Sequence, residues 1–460
     1  MPESPIDSTL AAIGENGGRA RISRRQALGL MAAVGLVKIK GTPDADPVLK
    51  RVTQGLPTTS AVRFTTWTSN VTKVRIRLET LSGVVLRRST AVTPDGDGYS
   101  QLAITALPPN TELRYQVEGQ QLGGPWNSLG QLRPARTAPP EGASFRWLAW
   151  ACTHHDEVEG DRAPYDLAMS RSPAFGLLCG DQNYRDITST DPADHRQAWE
   201  NAWAETPGMY DLMANVPHGV EVSDHDSGEG SNRGAGSEAI PAQIDAFFQM
   251  LPQTDRHPGG TRAFAFSWSS FSFICPDFRN THRTDPRDSG PQTAYGATQM
   301  GWISDRISEA KAAGHFIFYI SDAVWLGTTL GSKKDCLASY PDDRQQISDW
   351  LLSYPHMIVN FDFHHLTLNQ NGTQNPSGGP VVGAAGMIAN SGNLVGDGYY
   401  NWYHPPVLPR VPVREFVDFD CADQADRWII TAHFFDTKVD GSQEINTATW
   451  ERLKPRPAAG

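Results

Sequence analysis

Four short runs of the chain hold side chains able to bind metal ions: Cys152-Thr153-His154-His155-Asp156, Gly180-Asp181-Gln182-Asn183-Tyr184, Ser223-Asp224-His225-Asp226 and Phe361-Asp362-Phe363-His364-His365. A lone Asp or His after an apolar run is usually a helix cap or a satisfied polar group. Four such clusters, each following an apolar segment, point to a common centre. Carboxylates suit hard cations, whereas thiolate, imidazole and phenolate suit iron(III) or zinc. Two cations about 3.5–4 Å apart can clamp a phosphate and activate a hydroxide for in-line attack. A site offering Cys152 and Tyr184 beside Asp181 is expected to hold one softer or trivalent ion. His225 follows Asp224 directly and is the candidate general acid for a departing oxygen.

These side chains need a frame that brings them to one place. Segments 145–151, 175–179, 271–274, 315–320 and 357–363 are apolar runs of strand length, of the kind buried on both faces. Between them, 193–204, 300–313 and 343–352 have helical spacing, with Trp302, Ile303 and Ile307 on one side of the second. Alternation of this kind predicts an α/β layered domain over 145–440, with 441–460 as a C-terminal tail. In such folds ligands gather at the carboxyl ends of the strands, where the four clusters fall.

The preceding region, 47–136, has another texture. Segments 61–67 and 73–78 alternate polar and apolar residues. Asp95-Gly96-Asp97-Gly98 marks a turn before a strand at 99–107, and Leu107-Pro108-Pro109-Asn110-Thr111 leads into 113–117. Short strands at this spacing predict an immunoglobulin-like or fibronectin-III-like β-sandwich with a packing role. A Pro/Gly/Ala-rich stretch at 137–144 joins the two parts.

With 460 residues, the chain is long enough for this two-part layout. Forty Lys+Arg against 51 Asp+Glu give a net charge of −11, which argues against a surface that coats nucleic acid or anionic lipid. Mean hydropathy is −0.42, and no apolar run is long enough for a transmembrane helix. Five cysteines are too few for a disulfide scaffold. Cys179, inside an apolar run, reads as a buried small hydrophobe. Residues 1–46 read as a flexible arm with an export signal: Ser23-Arg24-Arg25-Gln26-Ala27-Leu28 precedes the short apolar segment 27–37. That is the pattern of a twin-arginine signal, which predicts a periplasmic or secreted protein and the twin-arginine machinery as a partner. The route carries folded proteins, often with a cofactor in place.

In order along the chain, these motifs resemble the PhoD-like alkaline phosphatase D family of metallophosphoesterases. Gly180-Asp181-x-x-Tyr184 is similar to the second motif of the iron-containing members. Asp224-His225-Asp226 resembles the Asn-His-Glu block in its Asp-His form, Asp362-x-His364 resembles Gly-Asp-x-His, and Cys152 matches a Ser-Cys after the first strand. The segment from Asp277 through Arg279 to Arg283, the pair Gln299-x-x-Trp302 and the stretch from Asp335 to Arg344 resemble further landmarks. The resemblance covers about residues 20–440 and implies a four-layer α/β/β/α domain behind the sandwich.

It also implies a hydrolase of phosphomonoesters or phosphodiesters using iron(III) and calcium, with zinc or manganese left open. Cys152, Asp181, Tyr184 and His364 would surround the iron; Asp181 would bridge to a second ion served by Asp224 and Asp362. His154 is a further candidate ligand. Arg279 and Arg283 could present a fork to phosphate, or Arg279 could pair with Asp277. Relatives that act as phospholipases of the D type make a lipid diester an alternative substrate. The sequence departs from the family pattern at Ser223 (for Asp), Val222 (for Trp), Phe361 (for Gly) and Leu337 (for Trp), and it lacks the usual Asn pair. These departures leave open a competing reading, a non-catalytic metal-stabilised scaffold.

Overall fold

The computed structural model describes residues 46–153, 162–228, 238–253, 259–285, 290–326, 336–362, 366–369, 375–384, 386–390, 400–401, 412–413, 415–438 and 441–455. The arginine pair and the rest of 1–45 lie outside them, as do His154, His364, Asp335 and most of the Gly-rich stretch after Gly228.

Seven strands come first: β1 (Val48–Gln54), β2 (Val62–Ser69), β3 (Lys73–Thr80), β4 (Val85–Arg88), β5 (Tyr99–Ile104), β6 (Glu112–Gln120) and β7 (Trp126–Arg136). They form two antiparallel sheets, β1-β2-β5 and β4-β3-β6-β7. The period-2 pattern explains why they stack. Val74, Ile76 and Leu78 of β3 all point inward and pack with Val62, Phe64, Leu102 and Ile104. This is the sandwich expected over 47–136.

The second part holds β8 (Phe145–Thr153), α1 (Ala163–Ser170), β9 (Phe175–Cys179), α2 (Pro192–Glu205), α3 (Pro207–Asn215), β10 (His218–Glu221), α4 (Ile240–Met250), β11 (Phe264–Trp268), β12 (Phe271–Cys275), α5 (Gly296–Ala312), β13 (Phe316–Ser321), α6 (Pro341–Leu351) and β14 (His356–Asn360). Short strands follow: β15 (Thr367–Asn369), β16 (Val381–Gly383), β17 (Gly386–Asn390), β18 (Tyr400–Asn401) and β19 (Pro412–Val413). Three long strands end the chain, β20 (Glu415–Asp423), β21 (Arg427–Lys438) and β22 (Gly441–Leu453).

Two sheets result. One runs β10-β9-β8-β20-β21-β22, with β17 beside β8 and β19 beside β17; the other runs β11-β12-β13-β14-β16-β15-β18. They face each other across an aromatic slab in which Trp147 stacks on Phe419 at 4.4 Å and meets the edges of Phe273 and Phe318 at 5.2 Å each. On the far side of the first sheet, Trp150, Leu178 and Val220 pack with Trp199, Trp203, Met209 and Phe247 of the helices. On the far side of the second, Ile274, Ile317 and Ile358 pack with Ile303, Ile307, Ile347 and Leu351. The order is helix, sheet, sheet, helix, four layers as the resemblance implies.

Two expectations need correcting. Residues 441–453 are no tail: β22 pairs with β21 over its whole length, and Ala448 and Trp450 point into the core between exposed Thr447 and Thr449. The strand expected at 357–363 stops at Asn360, because Asp362 adopts φ +76° and breaks the extended backbone. The sandwich and the layered part belong to one compact unit, Pro47–Gly460. Ala214 of α3 is buried in the sandwich core, and its carbonyl accepts hydrogen bonds from Tyr115 Oη (2.7 Å) and Gln54 Nε2 (2.8 Å). Among the described residues, no helix is long and apolar enough to cross a membrane.

Candidate metal centre

Parallel strands β8, β9 and β10 lie side by side, so their C-terminal ends come together. Cys152 lies at the end of β8, Asp181 just past β9 and Asp224 just past β10; Asp362 follows β14 of the facing sheet. Cys152, Asp181 and Asp362 all sit at positive φ, +52°, +54° and +76°. For non-glycine residues this costs about 1–3 kcal/mol each, and such strain collects where a side chain must be aimed. Gly180 has no Cβ for a direct reason: one would lie 2.3 Å from Ser223 Cβ and 2.6 Å from Ser223 N. The backbone of the second motif therefore packs directly on that of the third.

Asp181 is the hub. Its Oδ2 lies 3.7 Å from Cys152 Sγ and accepts from Tyr184 Oη at 3.4 Å; its Oδ1 accepts the His225 backbone N–H at 3.3 Å. Donor atoms of Asp181, Asp224 and His225 all lie within 4.8 Å of one another. Asp226 takes no part in that cluster. Its Oδ1 accepts the backbone N–H groups of Gln182 (3.0 Å) and Asn183 (3.1 Å), and its Oδ2 accepts that of Ser223 (3.2 Å), stapling the two loops together.

Electrostatics agree with a cation site. Burial pushes the Asp181 carboxyl well up, with Asp224 and Asp226 adding to the shift and Arg279 opposing it. Burial also raises the Cys152 thiol, helped by Asp181 and Asp362, and the Tyr184 phenol, helped by Cys152 and Asp181. Acidic groups that resist ionisation for want of positive charge are the groups a bound cation would ionise. The donor set fits such ions: carboxylates for a hard cation, with a thiol and a phenol on one side for a softer or trivalent one.

The facing sheet contributes Asp362 and, with it, a fixed positive charge. Arg279 is 1% exposed. Its Nε donates to Asp322 Oδ2 at 3.0 Å, its Nη2 donates to Ser223 Oγ at 3.2 Å, and Nη2 lies 3.7 Å from Asp362 Oδ2. One guanidinium thus ties the ends of β10, β13 and β14. Its expected pairing with Asp277 is corrected: Asp277 is held bidentately by Arg262, at 3.0 Å from both Nε and Nη2. Arg279 is committed in the interior, and Arg283 is buried with its guanidinium 4.9 Å from the Phe278 ring. Ser223, where the family pattern has Asp, accepts from Arg279, and Phe361 lies wholly in the slab between the sheets, so its bulk is spent on the core. All five cysteines are buried as thiols.

Of the sequence-derived ligands, Cys152, Asp181, Tyr184, Asp224 and Asp362 come together with His225; His154 and His364 fall outside the described residues. Three residues escaped sequence reading. Asp322 follows β13 and obeys the same strand-end rule as the others, so it was findable. Asp226 lay in a recognised motif but without its stapling role. Asp186, whose Oδ1 is 2.9 Å from His225 Nδ1, had no local signal.

No protein-family profile matches the chain, and no curated protein matches it in sequence. Solved structures do. PhoD aligns with a TM-score of 0.65 and 13% identity over 86% of this chain and 92% of its own. The purple acid phosphatase PPD1 from seeds of yellow lupin (Lupinus luteus) aligns with a TM-score of 0.56 and 14% identity, over 88% of this chain and 74% of its own. The architecture is therefore a layered α/β domain preceded by a β-sandwich, as in those two structures. Within that class the fold is PhoD-like.

Proposed function

We propose that this protein is a metal-dependent phosphoester hydrolase, exported by the twin-arginine route, with iron(III) and calcium held by Cys152, Asp181, Tyr184, Asp224, Asp362 and His364. The observation that carries the reading is the convergence of Asp181, Asp224 and His225 donors within 4.8 Å at the strand ends of a PhoD-like fold. Cations bound there would supply the positive charge that polarises phosphate oxygens and favours attack by water. The chain's own residues do the rest. Asp181 turns one oxygen to the thiol–phenol side and the other to the Asp224–His225 turn. Arg279 fixes Asp362 and balances the buried carboxylates. His225 is the part-buried member of the cluster, from which it can hand a proton to the departing oxygen.

The test is elemental analysis and a visible spectrum of the as-isolated protein, with assays on aryl phosphomonoesters and diesters. Expected are bound iron, a phenolate-to-iron(III) charge-transfer band that Tyr184→Phe abolishes, and turnover of at least one ester class. His225→Ala should lower kcat by about 10²–10⁴-fold. Zinc alone would keep the hydrolase and overturn the iron assignment. Neither metal binding nor turnover, with metal supplied, would leave a scaffold.

A further inference from the structure

We propose that the tip of the β3–β4 hairpin and the arginine-rich outer face of its sheet form a docking surface for an anionic lipid bilayer. The apolar tip enters the interface, and the guanidiniums meet lipid phosphates. Catalysis plays no part in this contact. Among the described residues, eight large hydrophobic side chains are exposed, and four of them, Leu81, Val84, Val85 and Leu86, lie within six positions, each 41% to 63% exposed. Single exposed hydrophobics are ordinary, whereas a cluster marks an interaction site. β4 is also the edge of its sheet. The tip closes on itself: the Thr80 N–H donates to the Val84 carbonyl (2.9 Å), the Gly83 N–H to the Thr80 carbonyl (3.0 Å) and the Val84 N–H to Thr80 Oγ1 (3.1 Å). With these backbone groups paired, the tip can leave water at little polar cost.

The sheet that carries the tip has a basic outer face. Val74, Ile76 and Leu78 point inward, so Lys73, Arg75, Arg77 and Glu79 of β3 point out. Cross-strand neighbours on that face add Arg88 of β4, Glu112, Arg114 and Glu118 of β6, and Arg136 of β7. Six cations thus stand against three carboxylates, a local reversal that the net charge of −11 conceals. Glu118, itself buried, receives Arg75 (2.6 Å), Arg77 (3.3 Å) and Arg88 (3.3 Å), and Glu79 receives Arg114 (2.9 Å). Two carboxylates cannot saturate four guanidinium forks, so positive charge is left over. The same ion pairs hold the forks in place, and a fixed fork matches the oxygens of a phosphate.

A bilayer surface accounts for both features at once. Segments that lie in a membrane interface bury apolar side chains at the acyl boundary and keep basic ones at the headgroups. Here Val85 and Arg88 share the outer face, and Arg87, also exposed, donates from Nη1 to the Thr105 carbonyl at 3.0 Å. A dissolved polyanion would engage the arginines and leave the four apolar side chains in water. A second copy paired along β4 would bring Arg87 and Arg88 against the same residues of its partner, like charges that repel. Anionic lipid answers the charge and covers the tip.

The test uses the full chain and vesicles of phosphatidylcholine, alone or equimolar with phosphatidylglycerol. Segment 1–46 carries basic and apolar residues of its own, so the readouts are differences between variants and a dye placed on the hairpin. A nitrobenzoxadiazole label on Leu86→Cys is site-specific because the native thiols are buried. Its emission should brighten and shift blue with the mixed vesicles only. Val84→Ser combined with Leu86→Ser should weaken co-sedimentation by about 100-fold, about tenfold for each apolar side chain lost. Arg87→Gln combined with Arg88→Gln should weaken it by about 30-fold, and added salt should act in the same direction. Both variants should keep the wild-type thermal transition, since all four positions are exposed. Variants that bind like the wild type, or a dye that stays in water, would overturn the proposal. Equal binding to both kinds of vesicle would also overturn it, because the arginines would then have no role. If the serine variant keeps full binding while dissolved polyphosphate competes, the face is a polyanion site and insertion is wrong. Dimers that the serine variant abolishes in sedimentation velocity, without vesicle binding, would assign the hairpin to a second copy and overturn lipid docking.

Discussion

The two central sheets end in different chemistry. Past β8, β9 and β10 lie a thiol, carboxylates and an imidazole on a strained backbone, gathered around Asp181. Past β12, β13 and β14 lie Arg279, Asp322 and Asp362, joined through one buried guanidinium. The first sheet presents most of the donors and is short of positive charge; the second adds Asp362 and a fixed positive charge that partly answers it. A centre of this kind needs both, because carboxylates packed together in the interior would otherwise take up protons rather than bind cations.

The sharpest way to break this division is Asp181→Asn, which removes charge from the hub. Metal content should fall below stoichiometry, and turnover should fall by about 10³-fold or more, since bound cations contribute several kcal/mol to such reactions. Metal analysis and kinetics check it; an active, metal-loaded variant would mean the hub lies elsewhere. Next in size is Arg279→Met. Removing one partner of a buried ion pair costs about 3–5 kcal/mol, to be read from urea unfolding of the metal-free protein. A loss under about 1 kcal/mol, the scale of an exposed pair, would show that the second sheet's charge is dispensable. Asp226→Asn should cost about 1–3 kcal/mol, because an amide oxygen replaces a carboxylate that accepts three backbone N–H groups. The two loops it staples should then exchange their amide hydrogens faster.

The smallest effect is a slope with pH. Burial raises the Asp322 carboxyl to about 7, with Arg279 opposing the shift. A carboxyl raised on folding holds its proton more tightly in the native state, so its stabilisation is complete below the unfolded pKa of about 4 and fades as pH rises towards 7. Asp226 and Asp418, each raised to about 6, act in the same sense. Metal-free protein should therefore become easier to unfold as pH rises from about 4 to about 7, a window set by these shifts. Asp322→Asn should flatten, without abolishing, that trend; an unchanged slope would remove Asp322 from the account.

Much of the frame was legible because its signals are local. Apolar runs marked β8, β9, β12, β13 and β14, and the polar residue after such a run marked Cys152, Asp181 and Asp362. The last strand, β22, was misread as a tail for an equally local reason. Thr447-Ala448-Thr449-Trp450 alternates as a strand should, but half of it is polar and no apolar run announces it. The sandwich was readable from its alternation, although its lock onto Ala214 was not.

By itself, then, the sequence determined which residue types stand at which strand ends, since side-chain period and apolar length are properties of short segments. The partnerships were decided only by the tertiary structure. Arg279 meets Asp322 and Ser223 across 43 and 56 residues, and Asp186 meets His225 across 39. A buried charge takes whichever opposite charge the packing brings within reach, and at such separations no local pattern encodes the choice. Arg279 and Asp277, two residues apart, each found another partner for that reason.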